Sequence, residues 1–572
     1  MEAKQEDEGK IIGLAEAVKL YVRPEMKLHL AGGIGGPSAA ICEIIRQYSG
    51  TFPGFELIQS TVTGHALNLI HCNLVKKLIF SACIEISVSA HPSKVIQRAY
   101  AEGRVEFENW SLLSLQQKLM AGAFGFGFIP TRSISGSTLA ADNREYFREM
   151  DDPFKSGEKV GIVKALNPDL SIIHGCFSDM FGNTVLQVPY GDDIWGSLAS
   201  TDGILVTVEK IVPSEVIKRY SSQVKIPSFS VKAVCLAPLG MHPYALADPT
   251  EAVVESYEAD MDFLKDLHKA SSDPAGLDSW IDSWVTGCPT HESYLKNLGD
   301  KRISDLKKTA KKEVFPENDF GEWMSEEVAG SCTPDEMVMI AAAKEIVNSV
   351  MRSNHRTMLV GAGSWSISAR FAYYELIRKG YEIELITGNG QIGYIPQPGE
   401  SSTQSIAGTR SSKMLTDTIT THGVFVGGYQ SKCLSVLGAG QIDKYGNINS
   451  SRTSSGEFLV GTGGANDAAN ADEVIVILNQ SRERFVEALP YITAKGDRVS
   501  SVISTMGVFK KTFGKDELIL VACFPDPKRA TLSGTVKEVI KNCGWSLKKA
   551  EKVQQLSAPA GDELAVLRSM YS

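Results

Sequence analysis

Residues 179–183 read Asp-Met-Phe-Gly-Asn, and residues 443–447 read Asp-Lys-Tyr-Gly-Asn. Both stretches consist of Asp, any residue, an aromatic residue and then Gly-Asn. Each follows a mostly apolar run that is typical of a buried β-strand, at 170–177 and at 433–442. Gly-Asn is a common turn pair, but a pattern repeated over so long a period indicates a duplicated structural unit.

A glycine-rich turn is repeated as well, and in the same order along the chain. Residues 31–36 read Ala-Gly-Gly-Ile-Gly-Gly after the apolar run 26–30, and residues 360–364 read Val-Gly-Ala-Gly-Ser after the run 356–359. Both patterns indicate a strand, a tight turn and a helix. The sequence therefore predicts the α/β class, with two homologous, open, parallel-rich α/β domains in tandem.

The strand pattern also predicts where the domains begin and end. Candidate strands alternate with amphipathic helices in the first part of the chain, at 27–30, 55–59, 77–81, 172–176, 203–207 and 234–236. We expect a first domain over 1–250, a helical extension and linker over 251–332, and a second domain over 333–572. The second domain starts at Thr333-Pro334-Asp335-Glu336, which has the pattern of a helix capping box.

Composition excludes several classes of partner. The chain has 572 residues, 43% of them hydrophobic and 22% charged, with a net charge of −9. No basic cluster indicates a nucleic acid or a membrane surface as partner. The ten cysteines are scattered without a CxxC pair or a zinc-like Cys/His spacing. We therefore expect reduced thiols, no bound metal and a cytoplasmic protein.

Glycine loops at strand ends are the candidate ligand sites, because glycine lets a ligand approach the backbone and open α/β sheets bind ligands there. An anion would also be favoured by the helix N-terminus that follows such a loop. A single loop of this kind is more simply a tight turn, but the second half has four. The candidate binding residues are Gly33, Gly35, Gly361, Gly363, Gly388, Asn389, Gly390, Gly438, Gly440, Gly463 and Gly464.

These motifs resemble the glutaconate-type enzymes of the class I CoA-transferase family. The first half resembles the α subunit, and the second half resembles the β subunit. The matching residues are 32–36, 121–123, 128–132, 179–183 and 240–243 in the first half, and 440–449, 461–465 and 491–493 in the second. The resemblance implies two subunits fused in one chain, acyl-CoA as the small-molecule substrate that brings coenzyme A, and room for further homo-oligomerisation.

The chain departs from the family at the catalytic residue. Family transferases use a Glu in a Glu-x-Gly loop of the β half, whose carboxylate attacks the acyl-CoA and ends as a glutamyl-CoA thioester. The matching loop here reads Gly388-Asn389-Gly390, and glycine has no nucleophile. The resemblance also covers family members that keep the thioester and break a carbon–carbon bond or release carbon dioxide.

An acid–base residue is then required, and Glu85 is the first candidate, since it is a carboxylate in the apolar run 82–86. His91 follows as the second. Glu106 and Glu108 alternate with apolar residues and are expected on the solvent face of a strand.

The sequence predicts an acyl-CoA-processing enzyme that performs CoA-dependent C–C hydrolysis or decarboxylation. Two alternatives stay open. The first is a CoA-transferase that uses another carboxylate, Glu400 or Glu85. The second is a non-catalytic CoA-binding partner.

Overall fold

The computed structural model describes residues 9–86, 90–314, 332–361, 363, 365–397, 405–511, 516–525 and 531–570. The chain divides into two compact units, which are treated separately below. Unit 1 consists of Met1–Trp110, Ser114–Thr131 and Met150–Lys312, and unit 2 of Ser111–Leu113, Arg132–Glu149 and Glu313–Ser572. None of the described helices is both long enough and apolar enough to span a membrane.

Unit 1 is organised around one large sheet. Its parallel strands are, in spatial order, Val231–Leu236, Gly203–Ile211, Leu170–Ser178, Lys27–Leu30, Phe55–Val62, Val75–Ile86 and Glu106–Asn109. Antiparallel strands extend it at Thr184–Val185, Val224–Ile226 and Ala90–Pro92. Two further strands, Phe128–Thr131 and Lys159–Lys164, pair with each other. The main strands are buried on both faces, as expected for a parallel sheet between helices.

Helices alternate with these strands along the first 312 residues. They are Leu14–Tyr21, Ser38–Tyr48, His65–His71, Lys94–Ala101, Leu112–Ala123, Thr138–Asp142, Asp193–Leu198, Ser214–Arg219, Met261–Ser271, Pro274–Ile281, His291–Leu298 and Asp300–Ala310, and a further strand is Phe147–Asp151. The last four of these helices lie within the predicted extension and belong to unit 1.

Asp260 connects the helices of residues 261–310 with the rest of unit 1 through hydrogen bonds. Its carboxylate accepts hydrogen bonds from the backbone of Phe263 at 3.0 Å, from His242 Nε2 at 3.0 Å and from Arg302 Nη2 at 2.8 Å. Burial opposes ionisation of Asp260, but the hydrogen bonds from His242 and Arg302 outweigh burial and lower its pKa. Asp260 thus caps the helix Met261–Ser271 and holds it in place.

Unit 2 contains a second large sheet. Its parallel strands are, in spatial order, Glu384–Thr387, Thr357–Val360, Cys433–Gly438, Glu473–Leu478 and Val499–Ser504. Beyond them lie Gly507–Lys510, Ile519–Cys523 and Lys548–Gln555 on one side, and Gln391–Ile392 and Met414–Leu415 on the other. A separate hairpin joins Gln441–Ile442 to Ile448–Asn449. The helices are Pro334–Ser353, Ser366–Arg378, Ile406–Ser411, Thr420–Val426, Ala465–Ala468, Leu532–Lys541 and Gly561–Ser569.

The two sheets share one arrangement around their central strands. In unit 1, Lys27–Leu30 lies between Phe55–Val62 and Leu170–Ser178. In unit 2, Thr357–Val360 lies between Glu384–Thr387 and Cys433–Gly438. In both, the central strand precedes the glycine turn and one neighbour precedes the Asp-initiated motif. The predicted fold class, two parallel-rich α/β domains in tandem, is confirmed.

The repeated motif is a structural turn. Asp179 Oδ1 accepts hydrogen bonds from the backbone N–H groups of Phe181 at 3.1 Å and Asn183 at 2.9 Å, and its Oδ2 accepts one from Asn183 Nδ2 at 2.9 Å. Asp443 accepts the three corresponding bonds at 2.8 to 3.0 Å. The same residue types therefore recur because each closes the same loop with its own carboxylate.

The glycine of each motif is required by a close contact. Gly182 has a φ of 100° and Gly446 a φ of 81°, a region that side chains disfavour. A Cβ on Gly182 would lie 2.7 Å from Val231, and one on Gly446 would lie 3.1 Å from Val499. Val231 and Val499 begin equivalent strands, two positions from the strand that leads into the motif.

The predicted strands and the capping box are confirmed, whereas the prediction that Glu106 and Glu108 are both exposed is wrong for Glu108. All six predicted strands form, and Thr333 and Glu336 make the reciprocal bonds of a capping box. Glu106 is exposed as predicted, but Glu108 is buried. Its carboxylate lies 2.9 Å from Lys77 Nζ and 3.2 Å from Lys118 Nζ. The alternation of charged and apolar residues could not show that two lysines from other elements pair with the buried carboxylate of Glu108.

Candidate functional site

The glycine turn of unit 1 is tightly constrained. Gly32, Gly35 and Gly36 have φ values of 112°, 122° and 123°. A Cβ on Gly35 would lie 2.9 Å from Met241 Cε, whereas one on Gly33 would lie 3.1 Å from Asp192 Oδ1. The turn therefore needs glycine for its own backbone, and Gly33 brings that backbone against a carboxylate.

Asp192 and Asp193 are buried beside this turn, and the sequence pattern did not indicate them. Each has one carboxylate oxygen, Oδ1, without a hydrogen-bond partner among the described residues. Burial raises the pKa of Asp192, and burial together with the Asp192 charge raises the pKa of Asp193 well above its ordinary value. The pair therefore takes up protons more readily than exposed carboxylates do.

The corresponding turn of unit 2 is more open. Among the described residues, a Cβ on Gly361 would come no closer than 3.8 Å to another atom, and one on Gly363 would meet nothing within 4 Å. Gly363 accepts a hydrogen bond from the backbone of Ser366, at the start of the helix Ser366–Arg378, at 2.9 Å. Packing against the described residues therefore does not demand glycine at these two positions.

The loop at 387–390 is closed by Thr387. The backbone N–H of Gly390 donates to Thr387 O at 3.2 Å, and that of Gln391 donates to Thr387 Oγ1 at 3.1 Å. The Thr387 hydroxyl also contacts the Asn389 side-chain oxygen. Gly390 has a φ of 113°, and a Cβ there would lie 2.2 Å from Thr416 O. Gly390 is thus explained by the turn itself.

Gly388 is explained by a different contact, with the ring of His422. A Cβ on Gly388 would lie 2.8 Å from His422 Nε2, too close for any side chain unless the ring moved. Both ring nitrogens of His422 are buried, and neither has a hydrogen-bond partner within the described part of the chain. Burial lowers the pKa of His422, while the Asp467 charge opposes that lowering.

His422 is held by a short π-helix, Thr420–Val426. Asp417 Oδ1 accepts a hydrogen bond from the backbone of Thr420 at 2.7 Å, and Gly427 N donates to His422 O at 3.0 Å. The latter bond spans five residues, which is the π-helical pattern and is frequent at functional sites. The sequence analysis missed His422, because a lone histidine among threonines and glycines carries no motif.

The second glycine loop at this place contains Gly463 and Gly464. Gly463 has a φ of 51°, and its carbonyl accepts a hydrogen bond from the backbone of Leu112 at 3.0 Å. A Cβ on Gly464 would lie 3.1 Å from His422 Cε1. The loops at 388 and 464 therefore both contact one imidazole ring, and they form with it a site that lies wholly in unit 2.

Asp467 is the charged group of this site. Its Oδ2 accepts a hydrogen bond from the backbone of Leu113 at 2.9 Å, and its Oδ1 accepts one from Ser133 Oγ at 2.5 Å. Burial raises the pKa of Asp467, whereas His422 and these hydrogen bonds oppose that rise. Asp467 thus contributes a partly compensated negative charge near the imidazole.

Gly438 and Gly440 lie at the end of the strand Cys433–Gly438. A Cβ on Gly438 would lie 3.5 Å from Trp365, an ordinary contact, but one on Gly440 would lie 2.9 Å from Asn449 O. The backbone N–H of Gly440 donates to that same oxygen at 3.0 Å. Gly440 is therefore needed by the hairpin that it starts, and Gly438 leaves room at the strand end.

Glu85, the predicted acid–base residue, is buried in unit 1 and fully hydrogen-bonded. Its Oε1 accepts from Ser93 Oγ at 2.8 Å and from the backbone of Lys94 at 3.0 Å. Its Oε2 lies 2.6 Å from Ser271 Oγ and 2.6 Å from His268 Nδ1. A carboxylate with both oxygens engaged is better suited to orient His268 than to attack a substrate.

His91, the second predicted residue, stacks on His268. Their ring centroids are 5.2 Å apart with an interplanar angle of 19°. Burial lowers the pKa of His91, the neighbouring His268 lowers it further, and Glu85 opposes both. The cluster borders a small pocket that Tyr244 and Asn68 also line. His268 lies in the helical extension, where the sequence showed no family motif.

The described residues contain no group of three or more His, Cys, Asp or Glu side chains arranged to hold a metal ion.

Comparison with known proteins agrees with this fold. Residues 12–237 match the sequence model of a family described as Coenzyme A transferase. One glutaconate CoA-transferase subunit from Acidaminococcus fermentans is 28% identical over 324 residues, which is 52% of this chain and 94% of the relative. One 3-oxoadipate CoA-transferase subunit from Pseudomonas knackmussii is 28% identical over 260 residues, which is 41% of this chain and 92% of the relative.

A solved structure is similar over nearly the whole chain. It is the thioester complex with CoA of an acyl-CoA transferase from E. coli O157:H7, with a TM-score of 0.64 and 15% identity. The similarity covers 99% of this chain and 98% of that chain, and at this identity it establishes the fold alone. The chain thus has the fold of an acyl-CoA transferase, and its residues 12–237 carry the sequence pattern of the coenzyme A transferase family.

Proposed function

We propose that this protein is an acyl-CoA enzyme that keeps the thioester and cleaves a carbon–carbon bond, by hydrolysis or decarboxylation. One observation carries the proposal. Gly388 stands where the family resemblance places the nucleophilic Glu, and the ring of His422 fills the space that a side chain would need. A covalent glutamyl intermediate therefore has no residue to form on at this position.

The remaining features support binding and activation of a thioester. No described residue would crowd a Cβ on Gly361 or Gly363, and backbone N–H groups in such glycine loops can stabilise a developing oxyanion. Enolate chemistry at a thioester also needs a positioned base, and each unit contains a candidate histidine: His268, which is half-buried beside Glu85, and His422, which is buried. We propose that the two sequence halves correspond to fused α and β subunits.

CoA transfer through another carboxylate is the second candidate function. Glu400 lies outside the described residues. Glu85 accepts hydrogen bonds from four donors, which lowers its nucleophilicity. The relatives' names favour transfer, whereas Gly388 opposes it. A non-catalytic CoA-binding role is the third candidate.

The deciding experiment is product analysis with intact-protein mass spectrometry. The protein is incubated with dicarboxylyl and cyclic β-oxo acyl-CoAs, with and without acetate, and hydroxylamine is added to trap any glutamyl thioester. We expect the acyl-CoA to gain water or lose carbon dioxide while still joined to CoA, with no protein adduct. Acetyl-CoA formation or a trapped adduct would show transfer instead.

Glu85→Gln tests the contribution of unit 1. We expect at least a tenfold loss of turnover, because the amide no longer holds His268 in one orientation. Glu106→Gln is the matched control, since Glu106 lies on a nearby strand but is exposed. If the panel were bound but left unchanged by the unaltered protein, the non-catalytic role would replace the proposed one.

A further inference from the structure

The imidazole of His422 is a polar group that the packing of unit 2 leaves unsatisfied. It is 3% exposed, and neither Nδ1 nor Nε2 has a hydrogen-bond partner among the described residues. A buried donor or acceptor without a partner costs about 1–3 kcal/mol, so few are retained without a reason. A bound substrate or water that completes these hydrogen bonds supplies such a reason.

Two glycines lie where a side chain would collide with the imidazole of His422. Gly388 and Gly464 belong to two different loops, and a Cβ on either would press on the imidazole, at 2.8 Å and 3.1 Å. Neither residue has a positive φ, so backbone conformation does not require glycine at these two positions. The absence of a side chain at both positions therefore leaves room for the ring between the two loops.

We propose that His422 is the catalytic acid–base residue of unit 2 and takes the place of the absent family carboxylate. This assignment rests on the proposed function. It further selects C–C hydrolysis of a β-oxo acyl-CoA, because a neutral imidazole can activate water, whereas decarboxylation needs a proton donor but no base.

The proposed step balances without a further reactant. His422 Nε2 takes a proton from water, and the water oxygen bonds to the β-carbonyl carbon, whose C=O π electron pair moves onto the carbonyl oxygen and re-forms the double bond in the next step. The bond between the α- and β-carbons then breaks, its electron pair becomes the thioester enolate, and the proton passes from Nε2 to the α-carbon. With a cyclic β-oxo acyl-CoA the ring opens, so the product is a single molecule that carries a new carboxylic acid and is still joined to CoA.

The burial of His422 and the nearby charge of Asp467 are consistent with a role of His422 as a general base. Burial keeps His422 neutral near pH 7 by lowering its pKa, and Asp467 is the charged group that acts on it from the neighbouring helix Ala465–Ala468. Asp467 is not hydrogen-bonded to the ring, but its charge favours the imidazolium that forms during the step.

Chemical rescue of His422→Ala tests the assignment with a cyclic β-oxo acyl-CoA as the substrate. We expect a loss of turnover of about 100-fold or more, and partial recovery with added imidazole. Recovery should follow the basicity of the added ring, so 1,2,4-triazole, which has a similar size and is a much weaker base, should restore little. His71→Ala, at a histidine of unit 1, is the control and should keep full turnover.

The outcomes separate the assignment from the proposed function. Equal rescue by imidazole and triazole would assign His422 a space-filling role, and unchanged turnover in folded His422→Gln would exclude acid–base catalysis. Both results overturn only the assignment. Transfer of CoA to acetate by the unaltered protein, or no turnover of the panel, would overturn the proposed function itself. Circular dichroism of both variants verifies that they fold.

Discussion

A methyl group added at position 388 would collide with the ring of His422. We expect Gly388→Ala to lower the free energy of unfolding by about 1–3 kcal/mol, the usual cost of overpacking. Gly363→Ala is the matched control, because no atom of the described residues lies within 4 Å of a Cβ there, and it should change stability by less than about 1 kcal/mol. Urea unfolding of the two variants measures the difference, and equal stabilities would contradict the predicted contact.

A second substitution tests the cause of that loss. In the double variant Gly388→Ala with His422→Ala the new methyl group has no ring to meet. We therefore expect the cost of Gly388→Ala to fall to less than half in the His422→Ala background. An undiminished cost in the same urea experiment would place the strain in the loop backbone instead.

At the residue scale, the raised pKa of Asp193 predicts that the stability of the folded protein depends on pH. Its pKa is raised in the folded protein, so the folded state holds the proton more tightly than the unfolded state does. The contribution of this group to stability is present below the unfolded pKa of about 3.9 and is lost as pH rises toward the folded value. Replacement by Asn removes this loss, so the Tm of Asp193→Asn should rise relative to the unaltered protein between pH 4 and pH 8. Asp202→Asn, at an exposed ion pair, should show no such trend.

The two Asp-initiated turns give a prediction at the scale of elements. Asp443 accepts three hydrogen bonds within its own loop, so Asp443→Ala should cost about 2–4 kcal/mol of folding stability. Asp443→Asn keeps an oxygen for the backbone donors and should cost less. Lys444→Ala is the control inside the same motif, because its ion pair with Glu487 lies at the surface and such pairs contribute little to stability. Similar unfolding midpoints for all three variants would contradict the structural role of the turn.

Glu473 joins one helix end to two strands of unit 2. It lies 2.9 Å from Arg352 Nη2, 3.1 Å from His355 Nε2 and 2.5 Å from Ser500 Oγ. Burial opposes ionisation, but the bonds from His355 and Ser500 outweigh burial and lower the pKa of Glu473 to about 2.

Because this pKa is depressed, the stabilisation is present above the unfolded pKa of about 4.3 and is lost as pH falls toward 2. Glu473→Gln should therefore be less stable than the unaltered protein at pH 7, with a gap that narrows below pH 4. Thermal unfolding across this range measures the gap, and Glu457→Gln, at an exposed position, is the control. A gap of constant size would exclude the ionised carboxylate as its cause.

At the scale of the whole molecule, cutting the chain at the predicted linker would divide unit 2, because that unit also includes residues 111–113 and 132–149. Leu113 and Ser133 belong to that unit and supply hydrogen bonds to buried Asp467. A fragment of residues 332–572 alone leaves this carboxylate without them, which costs several kcal/mol. We expect that fragment to unfold non-cooperatively or aggregate, and to recover a cooperative transition when it is co-expressed with residues 1–331. A cooperative isolated fragment would contradict this prediction.

Local patterns accounted for most of the elements. Apolar runs located the strands, and Thr333 with Glu336 located the start of the helix Pro334–Ser353, since strand burial and helix capping depend on residues that are close in sequence. Glu108 shows the limit of that approach. Its partners Lys77 and Lys118 lie on other elements, and no local period encodes their meeting.

The candidate site was predicted only in part. The sequence by itself determined the α/β class, the repeat and the glycine loops, because strand periodicity and turn chemistry act over a few residues. It also showed that position 388 carries no nucleophile. Only the tertiary structure brought His422 against Gly388 and His268 against Glu85, since these contacts join segments distant in sequence whose pairing depends on how the strands are ordered in each sheet.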